Sequence, residues 1–408
     1  MKQKLVSCFV AMSMCGFLIP FPSADNMSMS NPVIKNNSDN KTHTSDNSTD
    51  NSLLIDNNTP VQISVREDTK FLKEKFGSCF SVGTCVSPHE LDTGSEFILN
   101  HFNSITPENE LKPDTILNQQ ASELYGNNVN TQVFFNDNVR KTLKFCEDNN
   151  IPLRGHTFVW HSQTPDWFFK ENFRYDGADV TPEIMNQRLE NFIKNTFELL
   201  ATDFPNLKVY AYDVCNELFE NNGGGFRKPG SNNLSMGKSY WTKIYSDDSF
   251  VINAFTYARK YAPKDCKLYI NDFNEYIPAK TNDIYNMAMK LKDLGLIDGI
   301  GMQSHLDTSY PDIKTYENAL NKFISTGLDV QITELDITCT DFAVQGKYFK
   351  DIFTLAAKNA EHISSFTLWG THDSISWRNY SNPLLFGANY SEKEAYKQVM
   401  SITNADIK

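Results

Sequence analysis

Positive charge is scarce in this chain. Its 38 lysines and arginines are outnumbered by 50 aspartates and glutamates, which gives a formal net charge of −12. Without a basic stripe to release counterions from phosphates, no nucleic-acid partner is expected, and anionic membranes are disfavoured for the same reason. Glycine-rich phosphate loops are also missing after the predicted strands, which argues against nucleotide binding. A neutral polymer is compatible with this charge, as are many other substrates.

Cysteines are few and scattered, with no CxxC pair. This pattern excludes a small disulfide scaffold and a cysteine-rich metal site, so neither a metal nor another cofactor is predicted. Buried free thiols are the expected state, although a Cys79–Cys85 disulfide stays open. The six cysteines beyond the amino-terminal segment are Cys79, Cys85, Cys146, Cys215, Cys266 and Cys339.

The only long apolar run lies at the amino terminus, from Leu5 to Phe21 after two early lysines. It is interrupted by prolines and short for a membrane span. Residues 1–24 are therefore predicted to be a signal peptide cleaved after Ala24, and the protein to be secreted. A lipid anchor at Cys15, which would attach the protein to the cell surface, and a cytoplasmic protein with an apolar first strand are the alternatives.

Apolar residues are also rare in residues 25–60, where asparagine, serine, threonine and aspartate dominate. Such a segment cannot bury enough surface to offset the entropy lost on ordering, so a linker is predicted. Residues 61–408 are then expected to form one catalytic domain, a size that suits a single α/β barrel, and a monomer is the default.

Strand-like and helix-like patterns alternate after residue 61, which predicts a (β/α)8 TIM barrel; an open doubly wound sheet is the alternative. The predicted strands are Phe80–Val86, Phe102–Glu108, Leu153–Trp160, Lys208–Glu217, Lys267–Asn274, Ile297–His305, Val330–Asp336 and Ile363–Gly370. Predicted helices between them include Asn136–Asn149, Pro182–Leu200, Asp283–Leu294, Tyr316–Ser325 and Gly346–Ala360.

Polar residues recur at the carboxyl ends of these strands, which meet on one face of a parallel barrel. Among them, Glu217 and Glu334 end or nearly end buried strands that are far apart in the chain. A carboxylate in such a place is costly unless the site needs it. Two carboxylates on either side of one bond are what glycoside hydrolysis requires.

Six ordered motifs make the chain resemble glycoside hydrolase family 10, the retaining endo-1,4-β-xylanases, over roughly Asp68 to Met400. These motifs are Asn103–Lys112 (NSITPENELK), Arg154–Trp167 (RGHTFVWHSQTPDW), Asp213–Glu217 (DVCNE), Gly301–Leu306 (GMQSHL), Ile332–Asp336 (ITELD) and Trp369 followed by Ser376–Arg378 (SWR).

The resemblance implies endo-hydrolysis of internal β-1,4-xylosidic bonds, with Glu217 as acid/base and Glu334 as nucleophile. His305 would hydrogen-bond Glu334 and favour its ionised form, while Asp336 orients His305. Asn216 would bind the sugar 2-hydroxyl, a contact that strengthens in the transition state. Repulsion from ionised Glu334 is expected to raise the pKa of Glu217.

The resemblance also implies a set of sugar contacts, with xylan and xylo-oligosaccharides as partners. Gln163 and Trp377 would crowd the position of the glucose hydroxymethyl group and so favour xylose. Asp213 and His161 are expected to pair beneath the acid/base, in a tuning or a purely structural role. The predicted substrate-binding residues are Glu108, Asn109, Lys112, His156, Trp160, Gln163, Asn271, Gln303, Trp369 and Trp377.

Three positions depart from the family pattern. Tyr212 and Pro113 stand where tryptophan is common, and Phe273 replaces a frequent tyrosine. The first indicates a packing change. The second weakens the wall of the outer sugar sites, and the third puts leaving-side sugar binding in doubt, without affecting catalysis.

Three other functions stay open from the sequence. The first is a related barrel glycanase acting on glucan or mannan, since such barrels share the Asn-Glu pair. The second is a catalytically silent barrel that binds polysaccharide. The third is a metal-dependent hydrolase, although the candidate ligands His156, His161, His305 and His372 lack ligand spacing on one helix.

Overall fold

The computed structural model describes residues 63–231 and 237–408. The predicted signal peptide (1–24) and linker (25–60) lie outside the described residues. Within the described part of the chain, no helix is both long and apolar enough to cross a membrane.

Eight parallel strands close into a barrel. In chain order they are β1 (Ser81–Val86), β2 (Ser104–Pro107), β3 (Leu153–Trp160), β4 (Val209–Asn216), β5 (Lys267–Asp272), β6 (Gly299–Met302), β7 (Asp329–Thr338) and β8 (Ile363–Leu368). Each strand pairs with the next, and β8 pairs in parallel with both β7 and β1, which closes the ring. The predicted (β/α)8 barrel is confirmed, and the open sheet is wrong.

Helices surround the strands. The α-helices of the described residues are Leu72–Lys75, Glu90–Thr93, Ser95–His101, Pro113–Ile116, Gln119–Leu124, Asp137–Asp148, Pro182–Asp203, Trp241–Ile244, Ser249–Tyr261, Pro278–Asp293, Ile313–Ile324, Phe342–Lys358 and Glu394–Met400. Their starts follow local chemistry: the Asn136 side chain accepts a bond from the Val139 amide, and Thr181 caps a helix whose first residue is Pro182.

The barrel wall is buried on both faces, as expected where helices cover a parallel sheet. In β7, eight consecutive residues from Val330 to Ile337 are buried. The departure at Tyr212 is a packing change, as the sequence indicates: its ring stacks on Phe158 at 4.1 Å. The Tyr212 ring also packs against Gly155. A Cβ atom at position 155 would come within 2.2 Å of this ring, so position 155 needs glycine.

Strand β6 is shorter than the predicted Ile297–His305. It ends at Met302, and the chain resumes extended pairing at His305–Asp307, beside residues 336–338 of β7. Between them Ser304 adopts φ 60°, a left-handed conformation that a strand cannot contain. This break turns the side chains around it toward the carboxyl end of the barrel.

Candidate active site

Glu217 and Glu334 are joined by a buried chain of amide side chains. Asn271 Nδ2 donates to Glu334 Oε1 at 2.7 Å and to Asn216 Oδ1 at 3.0 Å. Gln303 Nε2 donates to the same Asn216 oxygen at 3.0 Å and to Glu217 Oε1 at 3.2 Å. The two carboxylates, from β7 and the end of β4, are therefore held in one hydrogen-bonded group.

His305 bridges Glu334 to a second carboxylate. Its Nε2 lies 3.2 Å from Glu334 Oε2 and its Nδ1 3.0 Å from Asp336 Oδ2. Burial lowers the pKa of His305, but Asp336 and Glu334 outweigh it and raise the pKa to about 9. At neutral pH the imidazolium donates through Nε2 to Glu334 and forms an ion pair through Nδ1 with Asp336. Asp336 is fixed in turn by Trp377 Nε1 at 2.8 Å and Arg378 Nη1 at 3.1 Å.

Glu217 lies beside a guanidinium. It adopts φ 53° after β4, and its backbone carbonyl accepts from Arg227 Nε at 2.7 Å. Its Oε2 is 3.6 Å from Arg227 Nη2 and 3.7 Å from His161 Nδ1. Burial raises the pKa of Glu217, but His161 and Arg227 lower it to about 2. The expected rise in the pKa of Glu217 is therefore wrong. Because burial lowers the pKa of His161 to about 4, Arg227 is the permanent charge at neutral pH.

The expected Asp213–His161 pair does not form. Asp213 lies inside the barrel, where it accepts from both terminal nitrogens of Arg154 and lies 2.8 Å from His156 Nδ1. Burial raises the pKa of Asp213, yet the Arg154 charge and the His156 contact bring it below its usual range. A proton on His156 Nδ1 leaves Nε2 as the nitrogen free for a ligand.

A polar cluster from β2 and β3 lies on the barrel rim. Lys112 Nζ donates to Asn109 Oδ1 at 3.1 Å and to Gln163 Oε1 at 3.0 Å, and it lies 4.9 Å from the centre of a Trp160 ring. Gln163 Nε2 also donates to Asn109 at 3.3 Å. Beside them Glu108 is half-buried, and burial raises its pKa to about 7. The cluster presents hydroxyl-binding groups around an aromatic face.

The model of glycosyl hydrolase family 10 matches residues 71–402. The chain belongs to this family.

Family 10 relatives are similar over most of the chain. It is 64% identical over 331 residues to the bifunctional endo-1,4-beta-xylanase XylA of Ruminococcus flavefaciens, covering 81% of this chain and 34% of that protein. It is 43% identical to endo-1,4-beta-xylanase Y of Acetivibrio thermocellus, covering 81% of this chain and 32% of that protein. The chain thus spans about a third of the length of these two relatives.

A solved family 10 structure has the same fold. It contains the CBM22-1 and GH10 modules of the Clostridium thermocellum N-terminal endo-1,4-beta-D-xylanase 10B, complexed with xylohexaose. The similarity has a TM-score of 0.77 at 42% identity, and covers 82% of this chain and 68% of that one.

The residues that the family 10 resemblance assigns to sugar binding differ in how much of their side chains is exposed. Trp377 is 45% exposed, whereas Asn271 has no exposed surface. The Asn271 amide binds Glu334 and Asn216, and the sugar contact predicted for this residue stays a prediction. His156, Gln303 and Trp369 are buried but line the same carboxyl end, while Asn109, Trp160 and Gln163 are half-buried at the rim.

The four histidines proposed as metal ligands do not converge. Among the described residues, one group could offer three ligand atoms within 4.8 Å of one another, and it contains only one of those histidines: His156 with Asp213 and Glu334. Asp213 in this group is already neutralised by the buried Arg154. The contacts of the group therefore have an account that needs no cation.

Three charged residues near the site were missed by sequence reasoning: Arg227, Lys280 and Glu275. Arg227 lies ten positions after Glu217 and follows a run of glycines. Its positive charge is the only signal in the sequence that could have pointed to it. Lys280 is fully buried, 2.7 Å from Asp272 and 3.8 Å from the centre of the Phe273 ring. The hydroxyl-free ring of Phe273 is half-buried and has a second cation near it, because Arg227 Cζ lies 5.7 Å from its centre.

Proposed function

We propose that the chain is an endo-1,4-β-xylanase that hydrolyses internal xylosidic bonds with retention of configuration. The observation that carries the proposal is the hydrogen-bonded group that joins Glu217 to Glu334 through Asn216, Asn271 and Gln303. Retention requires two carboxyl groups about 5–5.5 Å apart, one of them a nucleophile and the other an acid and then a base.

In the first step, a Glu334 oxygen attacks the anomeric carbon while Glu217 gives its proton to the glycosidic oxygen. The carbon–oxygen bond breaks, the leaving chain departs as an alcohol, and the sugar is esterified to Glu334. Asn271 and His305 each donate to one oxygen of Glu334, which aims the carboxylate. In the second step, water attacks, loses its proton to Glu217 and releases Glu334.

Glu217 must be protonated for the first step, although the Arg227 charge favours its ionised form. A xylan chain in the cleft removes water from the carboxyl and so favours the neutral form. In the second step the same Arg227 charge helps Glu217 to act as a base. The guanidinium therefore favours the ionised form of Glu217, which the second step needs, over the protonated form, which the first step needs.

Preference for xylose over glucose is assigned to Gln163 and Trp377, which would crowd a hydroxymethyl group. Gln163 is fixed by its bonds to Lys112 and Asn109, and Trp377 by its bond to Asp336. Glu108, Asn109 and Lys112 would bind the next sugar toward the non-reducing end, and His156 the sugar being cleaved.

Digestion of xylohexaose, followed by proton NMR, tests the proposal. We expect internal cleavage, with xylobiose and xylotriose released first as β-anomers. Initial release of α-anomers would contradict retention. Cleavage of cellohexaose or mannohexaose in place of xylohexaose would favour the related-glycanase alternative, and no cleavage of any glycan would favour a binding barrel.

We also propose that the protein is exported as a monomer, by the signal peptide at residues 1–24. The support is the pair of early lysines before the apolar run Leu5–Phe21. Amino-terminal sequencing of the protein from culture supernatant should begin after Ala24. Retention on cells with a palmitate-labelled Cys15 would instead identify a lipid anchor.

A further inference from the structure

The turn between β6 and His305–Asp307 links the surroundings of both glutamates. Gln303, just before the turn, contacts Glu217, and His305, just after it, contacts Glu334. The residue between them, Ser304, is buried and has φ 60°. A non-glycine residue in this conformation costs of the order of 1–3 kcal/mol and persists only where its surroundings hold it.

A buried carboxylate holds Ser304 in place. Glu275 Oε1 accepts from the Ser304 amide at 3.1 Å and from Ser304 Oγ at 3.0 Å. The same hydroxyl lies 2.6 Å from Tyr316 Oη. Glu275, Ser304 and Tyr316 have no exposed surface. Glu275 thus contacts neither glutamate but fixes the residue between the two side chains that do.

A second observation sets Glu275 apart from an ordinary structural carboxylate. It follows β5 at the carboxyl end of the barrel, and the described residues offer its Oε2 no hydrogen-bond partner. Burial raises the pKa of Glu275 to about 7. A buried acid with one unpaired oxygen is costly, and its two good contacts both serve the Ser304 turn.

We propose that Glu275 is a positioning residue for both catalytic glutamates, acting through Ser304 on Gln303 and His305. This inference rests on the proposed xylanase function. A displaced Ser304 turn would move Gln303 away from Glu217 and His305 away from Glu334 together. Both chemical steps would then slow, while the rim residues that bind the sugar chain keep their places.

Two conservative variants separate geometry from charge. Glu275→Gln keeps an oxygen acceptor at the same reach, and kcat on xylohexaose should stay within about threefold of the wild type. Glu275→Asp keeps the acid but is one methylene shorter, so its oxygens no longer reach Ser304. We expect kcat to fall about 10–100-fold, the range that follows from a misplacement of about 1 Å, with KM within about twofold.

The matched control is Asp329→Asn at the amino end of β7. Asp329 accepts from Lys267, Tyr269 and Ser364, so its loss should lower the thermal midpoint without lowering kcat per folded molecule. Wild-type kcat in Glu275→Asp would overturn the proposal, as would equal losses in the Asp and Gln variants. An inactive wild type would instead refute the xylanase function.

Discussion

At the residue scale, the two glutamates have opposite surroundings. Both oxygens of Glu334 face hydrogen-bond donors, one from Asn271 and one from His305. Glu217 faces the amide of Gln303 and the guanidinium of Arg227. The environment of Glu334 therefore orients its two oxygens, whereas that of Glu217 changes the pKa at which its proton leaves.

The acid/base assignment predicts that the Glu217→Ala variant is sensitive to the leaving group. Natural xylan needs a proton on its leaving oxygen, so kcat/KM should fall about 10²–10⁴-fold. For a dinitrophenyl xylobioside, whose leaving group needs little acid assistance, kcat/KM should change by less than about tenfold. Equal losses of kcat/KM on the two substrates would refute the assignment.

A second residue-scale prediction concerns Arg227. The active form has a protonated Glu217, so activity falls as pH rises through the pKa of this residue. Because Arg227 lowers that pKa, Arg227→Gln should move the alkaline limb of the kcat profile, which reports the substrate-bound enzyme, to higher pH. Arg227→Lys keeps a positive charge and is the control, with a smaller shift. An unmoved limb in Arg227→Gln would show that the guanidinium does not tune Glu217.

Glu217 and Glu334 could be predicted from the sequence because each lies at or near the end of a contiguous apolar run, inside a short motif that the family shares. Arg227 and Glu275 could not be predicted in this way. Their partners come from other parts of the chain: Glu275 acts on Ser304, and the loop that returns Arg227 to Glu217 has no regular pattern. Nothing local in the sequence shows such contacts.

At the element scale, the helix Ser95–His101 ends in a buried imidazole. The His101 ring stacks on Phe97 at 4.5 Å and lies edge-on to Phe386 at 5.1 Å. Burial, assisted by Lys73 and Lys70, lowers the pKa of His101 from 6.5 to about 4. The folded state therefore keeps this ring neutral where the unfolded chain would protonate it.

This helix end predicts a loss of stability in acid. Between pH 6.5 and about 4 the unfolded state binds the proton and the folded state does not, so stability falls as pH falls through this window. His101→Phe removes this proton uptake. We compare the free energy of unfolding of the variant with that of the wild type at pH 5 and at pH 7.5. The variant-minus-wild-type difference should be roughly 1–2 kcal/mol more favourable to the variant at pH 5 than at pH 7.5. Urea unfolding at both pH values measures this, and equal differences would contradict it.

Elements were predictable where one local signal dominated. The strands are short β-branched runs, and their positions follow the sequence closely. The interruption of β6 could not be predicted from the sequence, because Ser304 is held in its turn by Glu275 rather than by a local glycine. The helix predicted from Asp283 begins at Pro278, since proline suits a first helical position.

At the scale of the whole molecule, the barrel is stabilised by packing and not by disulfides. The cysteines at positions 79, 85, 146, 215, 266 and 339 are free thiols, so the Cys79–Cys85 bond left open by the sequence is absent. Of these six described cysteines, five are buried and Cys339 is partly exposed. Alternating strands and helices made the barrel predictable, and the expected buried free thiols are confirmed for all of these six cysteines except the partly exposed Cys339.

The free thiols predict that reductant leaves stability unchanged. The thermal midpoint of the domain should agree within about 1 °C with and without dithiothreitol. Thiol titration of the native protein should modify Cys339 first, since it is partly exposed and burial excludes the reagent from the other five described thiols. A midpoint several degrees lower in reductant would reveal a disulfide.

Covalent trapping tests the central claim, that Glu334 is the nucleophile of a retaining xylanase, most directly. A dinitrophenyl 2-fluoro-xylobioside destabilises both transition states, but its good leaving group keeps the first step faster than the second, so the glycosyl-enzyme accumulates. Peptide mass spectrometry should then find one xylobiosyl adduct on Glu334, and none in Glu334→Gln. An adduct on another residue would contradict the assignment, and β-xylobiose release without any adduct would contradict the covalent mechanism.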